Sequence, residues 1–277
     1  ITINSRNKII AGLLRNNLEK NLGLTGFGQD VSIMRSTLLR TGVVVENNEG
    51  VKIQLKPEDI YINNMLGEII DFIIETGRTG RKSFDVLYNK LISQENHIGL
   101  RKGVIPIYLA AVIHVYKNEV VIFDQHGEVP LNVDVIIEIN TNPSDFFLAY
   151  LDWNPEKEEY IYNLEYIFKD YLIENEKGIS SYEYIVSAMR RWYLSLPKYS
   201  KEFKKSMLGI EAKSTYQKII KLLKQNHGGH TLLFDKLPKA FGYSDKKYIR
   251  LSEIIKEARD YYDGLLIQLK DALIKEV

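Results

Sequence analysis

The spacing of apolar residues changes at Trp153, and this change constrains the fold more than any other feature of the sequence. Before Trp153 the apolar segments are short and are separated by turns rich in glycine or asparagine. After it, apolar residues recur every three to four positions over long stretches, which is the pattern of amphipathic helices. The sequence therefore predicts a helical bundle over residues 154–277. Its long helices are expected at residues 156–175, 180–195, 210–225 and 245–275.

Residues 1–57 carry the outline of a small α+β unit. One helix is expected from the apolar residues at helical spacing between Ile9 and Leu18, and a second is expected after Asp30, a good N-cap residue. Two β-branched runs then flank residues 47–50 (NNEG), which predicts a β-hairpin. Two helices followed by a hairpin are the outline of a winged helix.

Residues 58–153 repeat this outline at greater length. A helix over 67–76 is followed by a polar loop, by a short helix that Ser83 caps, and by an apolar helix over about 103–116. A hairpin around residues 125–127, a short helix over 134–140 and a strand over 146–151 complete the unit. The predicted fold class is therefore mixed and mainly α, with two winged-helix-like α+β units followed by the bundle.

Composition excludes several classes of protein. The 277 residues include no cysteine, so disulfides, thiolate metal sites and cysteine nucleophiles cannot occur. No apolar run reaches the ~18–20 residues that a membrane-spanning helix needs. We therefore expect a cytoplasmic protein with no membrane segment. The chain begins at Ile1 and not at a methionine, so we expect it to be a piece of a longer protein.

Charge is segregated along the chain, although the formal net charge is only +1. Residues 187–250 hold 15 Lys or Arg against 4 Asp or Glu, a net charge of +11, whereas residues 57–153 hold 7 against 14, a net charge of −7. Such asymmetry indicates a surface directed at a partner. Trp192, Tyr193, Tyr199 and Phe203 are interleaved with the cations. Cations that neutralise phosphates, next to aromatic rings that stack on bases, are typical of nucleic-acid binding.

Two hypotheses follow from this basic segment. The leading one is association with nucleic acid, expected to be DNA; the alternative is a protein-interaction or regulatory scaffold whose basic segment docks on an acidic protein surface. In the first unit, the second helix would be the reader of DNA, but its two arginines are five positions apart and do not form one stripe on an α-helix. The candidate nucleic-acid-binding residues are Arg35, Arg40, Lys52, Arg190, Arg191, Lys198, Lys201, Lys204, Lys205, Lys246, Lys247 and Arg250.

The motifs that suggest chemistry are incomplete. Residues 77–83 (GRTGRKS) echo a P-loop, but Arg81 stands where that loop needs a glycine, so a basic loop is expected. His227 and His230 have no third ligand at metal-binding spacing. His114 lies in the apolar helix and is expected to be a core histidine. We expect no catalytic residue, no metal and no cofactor in this chain. A third hypothesis, an enzyme with an unfamiliar site, would need polar groups that converge in a pocket.

Several segments, taken in order, resemble one family. They are residues 22–28 (LGLTGFG), 35–42 (RSTLLRTG), 98–106 (IGLRKGVIP), 121–123 (VIF), 127–130 (GEVP), 194–199 (LSLPKY) and 232–242 (LLFDKLPKAFG). This succession resembles the region that follows the nucleotide-binding part of very large bacterial P-loop ATPases from phage-defence gene clusters, such as the BREX-type ATPases.

The resemblance implies a winged-helix and helical region that couples a distant ATPase to DNA or to partner subunits of the same assembly. The matching segments are glycine turns, proline helix starts and core leucines, so they concern architecture and not catalysis. The Walker motifs of such ATPases are not in this sequence. The resemblance therefore implies a non-catalytic module of an antiviral-defence ATPase.

Overall fold

The computed structural model describes residues 2–94, 98–177, 180–204, 211–243 and 247–276. The chain divides into two compact units. Unit 1 comprises Ile1–Asp152 with Gly178–Ser180, and unit 2 comprises Trp153–Lys177 with Ser181–Val277. The change of sequence pattern at Trp153 thus coincides with the change of unit. The described part of the chain is mainly helical and carries small antiparallel sheets, as the sequence predicts.

The helices of unit 1 follow the predicted order. Ser83 caps one of them as expected, since its hydroxyl accepts a hydrogen bond from the Asp85 backbone N–H. The first helix ends at Leu13 and not near Leu18, because Leu14 has a ψ of 11° and leaves the helical range. The helices are α1 Ile3–Leu13, α2 Gln29–Met34, α3 Ile60–Thr79, α4 Phe84–Ile92, α5 Ile105–Val115 and α6 Val133–Thr141.

Two antiparallel sheets lie among the described residues of unit 1. The predicted first hairpin is present, with Asn47 paired to Gly50 across its turn. The second sheet has the strand order β3-β6-β4-β5, so the closing strand β6 lies between the edge strand β3 and the second hairpin. The strands are β1 Val44–Asn47, β2 Gly50–Ile53, β3 Lys82–Ser83, β4 Val120–Phe123, β5 Glu128–Val129 and β6 Phe147–Tyr150.

One hydrophobic core extends through unit 1. It runs from Ile9 and Ile10 of α1 to Leu148 of β6, and the apolar helix α5 is buried along most of its length. Burial on all sides explains why α5 shows no polar face. The predicted division between residues 57 and 58 falls inside this unit, and residues on both sides of it contribute to the same core.

The P-loop-like segment takes a different form from the expected loop. Gly77 to Thr79 form the last turn of α3, and Gly80 follows with a φ of 82°. Lys82 and Ser83 then form β3, and Lys82 pairs with Glu75. A helix end followed by an edge strand lacks the strand-to-helix geometry that cradles phosphate in a P-loop.

Unit 2 consists of helices and connecting loops, and no β-strand occurs among its described residues. Its core includes Tyr160, Phe168, Ile185, Leu233 and Ile255, all fully buried. In order, its helices are α7 Pro155–Ile167, α8 Ser181–Ser195, α9 Lys198–Glu202, α10 Ser214–Lys224, α11 Leu237–Phe241 and α12 Tyr248–Glu276. Among the described residues of the whole chain, we find no helix with the length and apolar character needed to cross a membrane.

Candidate nucleic-acid interface

Arg190 and Arg191, in the C-terminal half of α8, bind other parts of unit 2. A guanidinium nitrogen of Arg190 donates a hydrogen bond to the backbone carbonyl of His227. Arg191 donates to the carbonyl of Tyr171 at 2.5 Å and forms an ion pair with Glu176. These contacts tie two loops to α8. Both arginines are therefore primarily structural in this arrangement, although their charge still contributes to the surrounding potential.

The short helix α9 presents cations and an aromatic ring together. The Lys201 ammonium donates to the carbonyl of Leu194 at 3.0 Å and lies 5.0 Å from the ring centroid of Tyr193. Lys198 is exposed at the start of the helix. Tyr199 is 55% exposed, and its ring centroid lies 5.3 Å from that of Phe203. The interleaving of lysine and aromatic residues in the sequence therefore yields one accessible ring next to accessible ammonium groups.

Trp192 does not share this accessibility. It is only 3% exposed and packs against Phe168 at a centroid distance of 5.7 Å. Phe203 is only 5% exposed. The expectation that aromatic rings of this segment stack on bases is therefore wrong for Trp192 and Phe203, because both rings are buried in unit 2.

A groove in unit 2 collects lysines from two separate segments. It has a volume of about 670 Å³. Glu202 is an acidic residue of its lining, and Gln217 lies on the α10 side. We call it the lysine groove; its described lining contains Lys201, Lys204, Lys221 and Lys224 around a floor of Phe203, Tyr216 and Ile220.

The floor of the lysine groove is apolar and firmly held. Tyr216 is 1% exposed, and its hydroxyl donates to the carbonyl of Ser200 at 3.1 Å. Ile220 and Phe203 are also buried. The lysine side chains on the rim, by contrast, reach solvent, and Lys204, Lys221 and Lys224 are exposed. The groove therefore offers exposed cations to an anionic ligand, over a floor that is already packed.

Lys221 and Lys224 are functional candidates that the sequence argument did not single out. They lie on α10, where Lys218, Lys221 and Lys224 recur at every third position. That spacing keeps side chains on neighbouring parts of one helix face. Lys218 instead donates to the carbonyl of Ala240 at 2.9 Å. The repeated spacing was the available signal, but the groove also depends on α9, which is remote in sequence.

Of the remaining cations of the basic segment, one forms an ion pair and another is exposed. Arg250 forms an ion pair with Glu253 at 2.5 Å, and hydrogen bonding to that carboxylate raises the pKa of Arg250. Lys247 is exposed, with its ammonium 5.7 Å from the ring centroid of Tyr243. Lys205 and Lys246 lie outside the described residues.

Arg35 and Arg40 of unit 1 are brought closer than their spacing predicts. Residues Arg35–Leu39 form a π turn, in which the Arg40 backbone N–H donates to the Arg35 carbonyl at 2.9 Å. A π turn closes after five residues, so the two arginines stand one turn apart. Both are exposed. The expectation that they do not form one stripe, which assumed regular α-helix, is therefore wrong.

Lys52 is also exposed, but it has a partner on its own hairpin. Its ammonium lies 3.0 Å from the carboxylate of Glu49. An exposed pair of this kind contributes little to stability, in the range of about 0–1 kcal/mol. Lys52 is thus available at the surface, with its charge partly balanced.

The paired histidines are held by contacts that need no metal. His227 forms a hydrogen bond with the Gln225 side chain at 2.7 Å. His230 packs against Tyr182 and Phe234 at centroid distances of 6.4 and 5.6 Å. Across the ranges that the structure describes, no group of three or more His, Asp or Glu side chains is placed to hold a metal ion.

Comparison of the chain with protein-family models, with curated proteins and with solved structures gives no match. The lysine groove and the arginine pair therefore carry the functional argument by themselves.

Proposed function

We propose that this chain is a non-catalytic module that associates with nucleic acid through the lysine groove of unit 2. The observation that supports the proposal is the convergence of Lys201 and Lys204 from one segment with Lys221 and Lys224 from another around a single cavity. Among the described lining residues, the exposed Lys204, Lys221 and Lys224 outnumber the carboxylate of Glu202, and Lys201 adds a fourth charge while donating to the Leu194 carbonyl. This balance favours a polyanion over a small neutral ligand. Phosphates at regular spacing satisfy several such groups at once.

Unit 1 would assist through a winged-helix-like arrangement. The order of α1, α2 with its π turn, and the β1–β2 hairpin agrees with that outline. Arg35 and Arg40, one turn apart and exposed, would contact successive phosphates. Such contacts would fix the position of unit 1 on nucleic acid without reading its sequence.

The sequence segments that resemble BREX-type ATPases suggest the larger protein to which this module belongs. We propose that it belongs to a large ATPase of the phage-defence type and couples that ATPase to DNA in the cytoplasm. A scaffold that joins the ATPase to partner subunits is the alternative, because a lysine groove would also dock on an acidic surface of another protein.

The test is a binding titration with a labelled oligonucleotide at several salt concentrations. If four phosphates are neutralised, the logarithm of affinity should fall with the logarithm of salt at a slope of about −3 for a single strand. The Lys221→Ala/Lys224→Ala variant should make this slope less negative by about 1 to 2 and weaken binding at low salt. Its matched control is Lys256→Ala/Lys270→Ala, which removes the same charge from the exposed face of α12.

Two outcomes would contradict the proposal. Equal effects of the two double variants would show that only net charge matters and that the groove is not the site. Displacement of the oligonucleotide by polyglutamate at equal charge concentration would favour the scaffold, because the groove would then take any acidic chain.

A further inference from the structure

We infer that the lysine groove takes single-stranded rather than duplex nucleic acid, with Tyr199 as the stacking surface for an unpaired base. This inference rests on the proposed function and names the form of nucleic acid that the groove accepts. It is carried by the exposed ring of Tyr199, which packs on the groove residue Phe203, and not by the number of lysines.

The accessible apolar surface beside these lysines is the ring of Tyr199. Phe203, Tyr216 and Ile220 line the groove but are only 5%, 1% and 5% exposed, so they form a packed wall and leave little apolar surface for a ligand to cover. In a duplex the flat faces of the bases are stacked inside the helix, and the backbone is the part offered to such a groove. A single strand offers both its phosphates and its base faces.

Tyr199 supplies a prepared stacking surface next to the groove. More than half of its surface is exposed, and its ring packs at 5.3 Å and 47° against Phe203, a residue of the groove floor. Phe203 is itself buried and limits the movement of the Tyr199 ring. A ring held in this way loses little conformational entropy when a base stacks on it.

The lysines around Tyr199 are arranged to hold the adjoining backbone. Lys198 directly precedes it, and Lys201 follows two positions later with its ammonium 5.0 Å from the ring centroid of Tyr193. The hydrogen bond from Lys201 to the Leu194 carbonyl fixes that ammonium near the start of α9. Base stacking beside a backbone held by cations is the arrangement that binds single strands with little sequence preference.

The experiment compares two forms of one oligonucleotide on the full chain. A fluorescein-labelled oligothymidylate and the duplex that it forms with oligoadenylate are titrated at the same low salt concentration. We expect tighter binding of the single strand. The Tyr199→Ala variant should weaken binding of the single strand by about 5- to 150-fold and leave binding of the duplex unchanged.

Two variants serve as controls. Tyr199→Phe keeps the ring and should bind the single strand as the parent does. Tyr166→Ala removes another exposed tyrosine of unit 2, 63% exposed and also close to a lysine, Lys169 at 5.3 Å, but outside the groove lining. It should leave binding of both forms unchanged. Circular dichroism verifies that each variant is folded. The comparison of single-strand and duplex affinity is made on the parent chain, so it does not depend on how any variant folds.

The outcomes separate this inference from the proposed function. Equal affinity for the single strand and the duplex, or an equal loss on both in Tyr199→Ala, would overturn the inference and leave the proposed function standing. Absence of binding to either form would overturn both. Tighter binding of a labelled polyglutamate than of either oligonucleotide would also overturn both, because the groove would then prefer an acidic peptide to nucleic acid.

Discussion

His114 shows how an ionisable side chain becomes part of the core of unit 1. It lies half-buried near the end of α5, and its Nδ1–H donates to the carbonyl of Leu13 at 2.7 Å. Burial lowers the pKa of His114 below its ordinary value of 6.5, and the neighbouring Lys117 acts in the same direction. The folded chain therefore favours the neutral imidazole, as expected for a core histidine.

A pH dependence of stability follows from this lowered pKa. Below pH 6.5 the unfolded chain binds a proton at this position that the folded chain does not, so the contribution of His114 is present above that pH and is lost as the pH falls toward the lowered folded-state value. His114→Asn keeps a donor for the Leu13 carbonyl and removes the titration. We expect its free energy of unfolding to fall less between neutral and mildly acidic pH than that of the parent. Urea titrations followed by circular dichroism measure the difference.

The control for this prediction is the parent chain, measured in the same buffers. If the free energy of unfolding changed with pH in the same way for His114→Asn and the parent, His114 would not titrate differently in the folded and unfolded chain.

The same scale shows what the sequence could and could not predict about the candidate site. Residue type and order identified Lys201 and Lys204, which line the lysine groove, and Tyr199 beside it. They could not distinguish these from Arg190, whose guanidinium reaches a carbonyl 37 positions further along the chain. Whether a cation faces solvent or a distant carbonyl depends on packing between helices, which local pattern does not contain.

At the scale of elements, the close contact between α1 and the turn that follows it sets an unusual requirement. Leu22 has a φ of 54°, a left-handed conformation that costs a non-glycine residue roughly 1–2 kcal/mol. Its side chain is almost fully buried. A Cβ on Gly12 of α1 would lie 2.5 Å from the Leu22 carbonyl oxygen and 2.7 Å from its Cβ. The absence of a side chain at Gly12 is what lets the turn pack on the helix.

This contact reverses the usual effect of replacing a helical glycine. Gly12→Ala should lower the free energy of unfolding by about 1–3 kcal/mol, because backbone atoms of the turn must move to admit the methyl group. Gly67→Ala is the matched change in α3, where an added Cβ meets nothing within 4 Å, and it should raise that free energy by about 0.5–1 kcal/mol. Denaturation followed by far-ultraviolet circular dichroism measures both. Stabilisation by Gly12→Ala would mean that the turn does not lie against the helix.

Local pattern predicted most elements and missed the irregular ones. The β1–β2 hairpin and the Ser83 cap follow from turn and capping residues that act over a few positions. The π turn at Arg35–Leu39 was not foreseen, because helix prediction assumes a period of 3.6 residues. That omission had a functional consequence, since the alignment of Arg35 with Arg40 depends on the wider turn.

At the scale of the whole molecule, the two units carry different charge as well as different architecture. The acidic stretch at residues 57–153 lies almost entirely in unit 1, and the basic stretch at 187–250 lies in unit 2. Unit 2 as a whole holds 22 Lys or Arg against 18 Asp or Glu, a net charge of +4, so its positive charge is concentrated in the stretch that carries the lysine groove. Electrostatic steering of a polyanion would therefore act through that stretch.

The separate cores of the two units predict separate unfolding. The core of unit 1 contains Leu109 of α5, whereas Ile255 of α12 belongs to unit 2, and both are fully buried. The two tryptophans of the chain, Trp153 and Trp192, both belong to unit 2. Tryptophan fluorescence therefore reports the unfolding of unit 2, while circular dichroism reports the unfolding of both units.

Truncation of one core residue at a time tests this independence. Leu109→Ala and Ile255→Ala should each destabilise their own unit by about 2–5 kcal/mol, through lost burial and the cavity left behind. Ile255→Ala should shift the denaturation midpoint seen by tryptophan fluorescence to lower urea concentration. Leu109→Ala should leave that midpoint in place and shift only the part of the circular dichroism change that belongs to unit 1. If both variants move the fluorescence midpoint equally, the chain unfolds as one cooperative body. The boundary near Trp153 would then mark a change of sequence pattern but not a boundary between independently unfolding units.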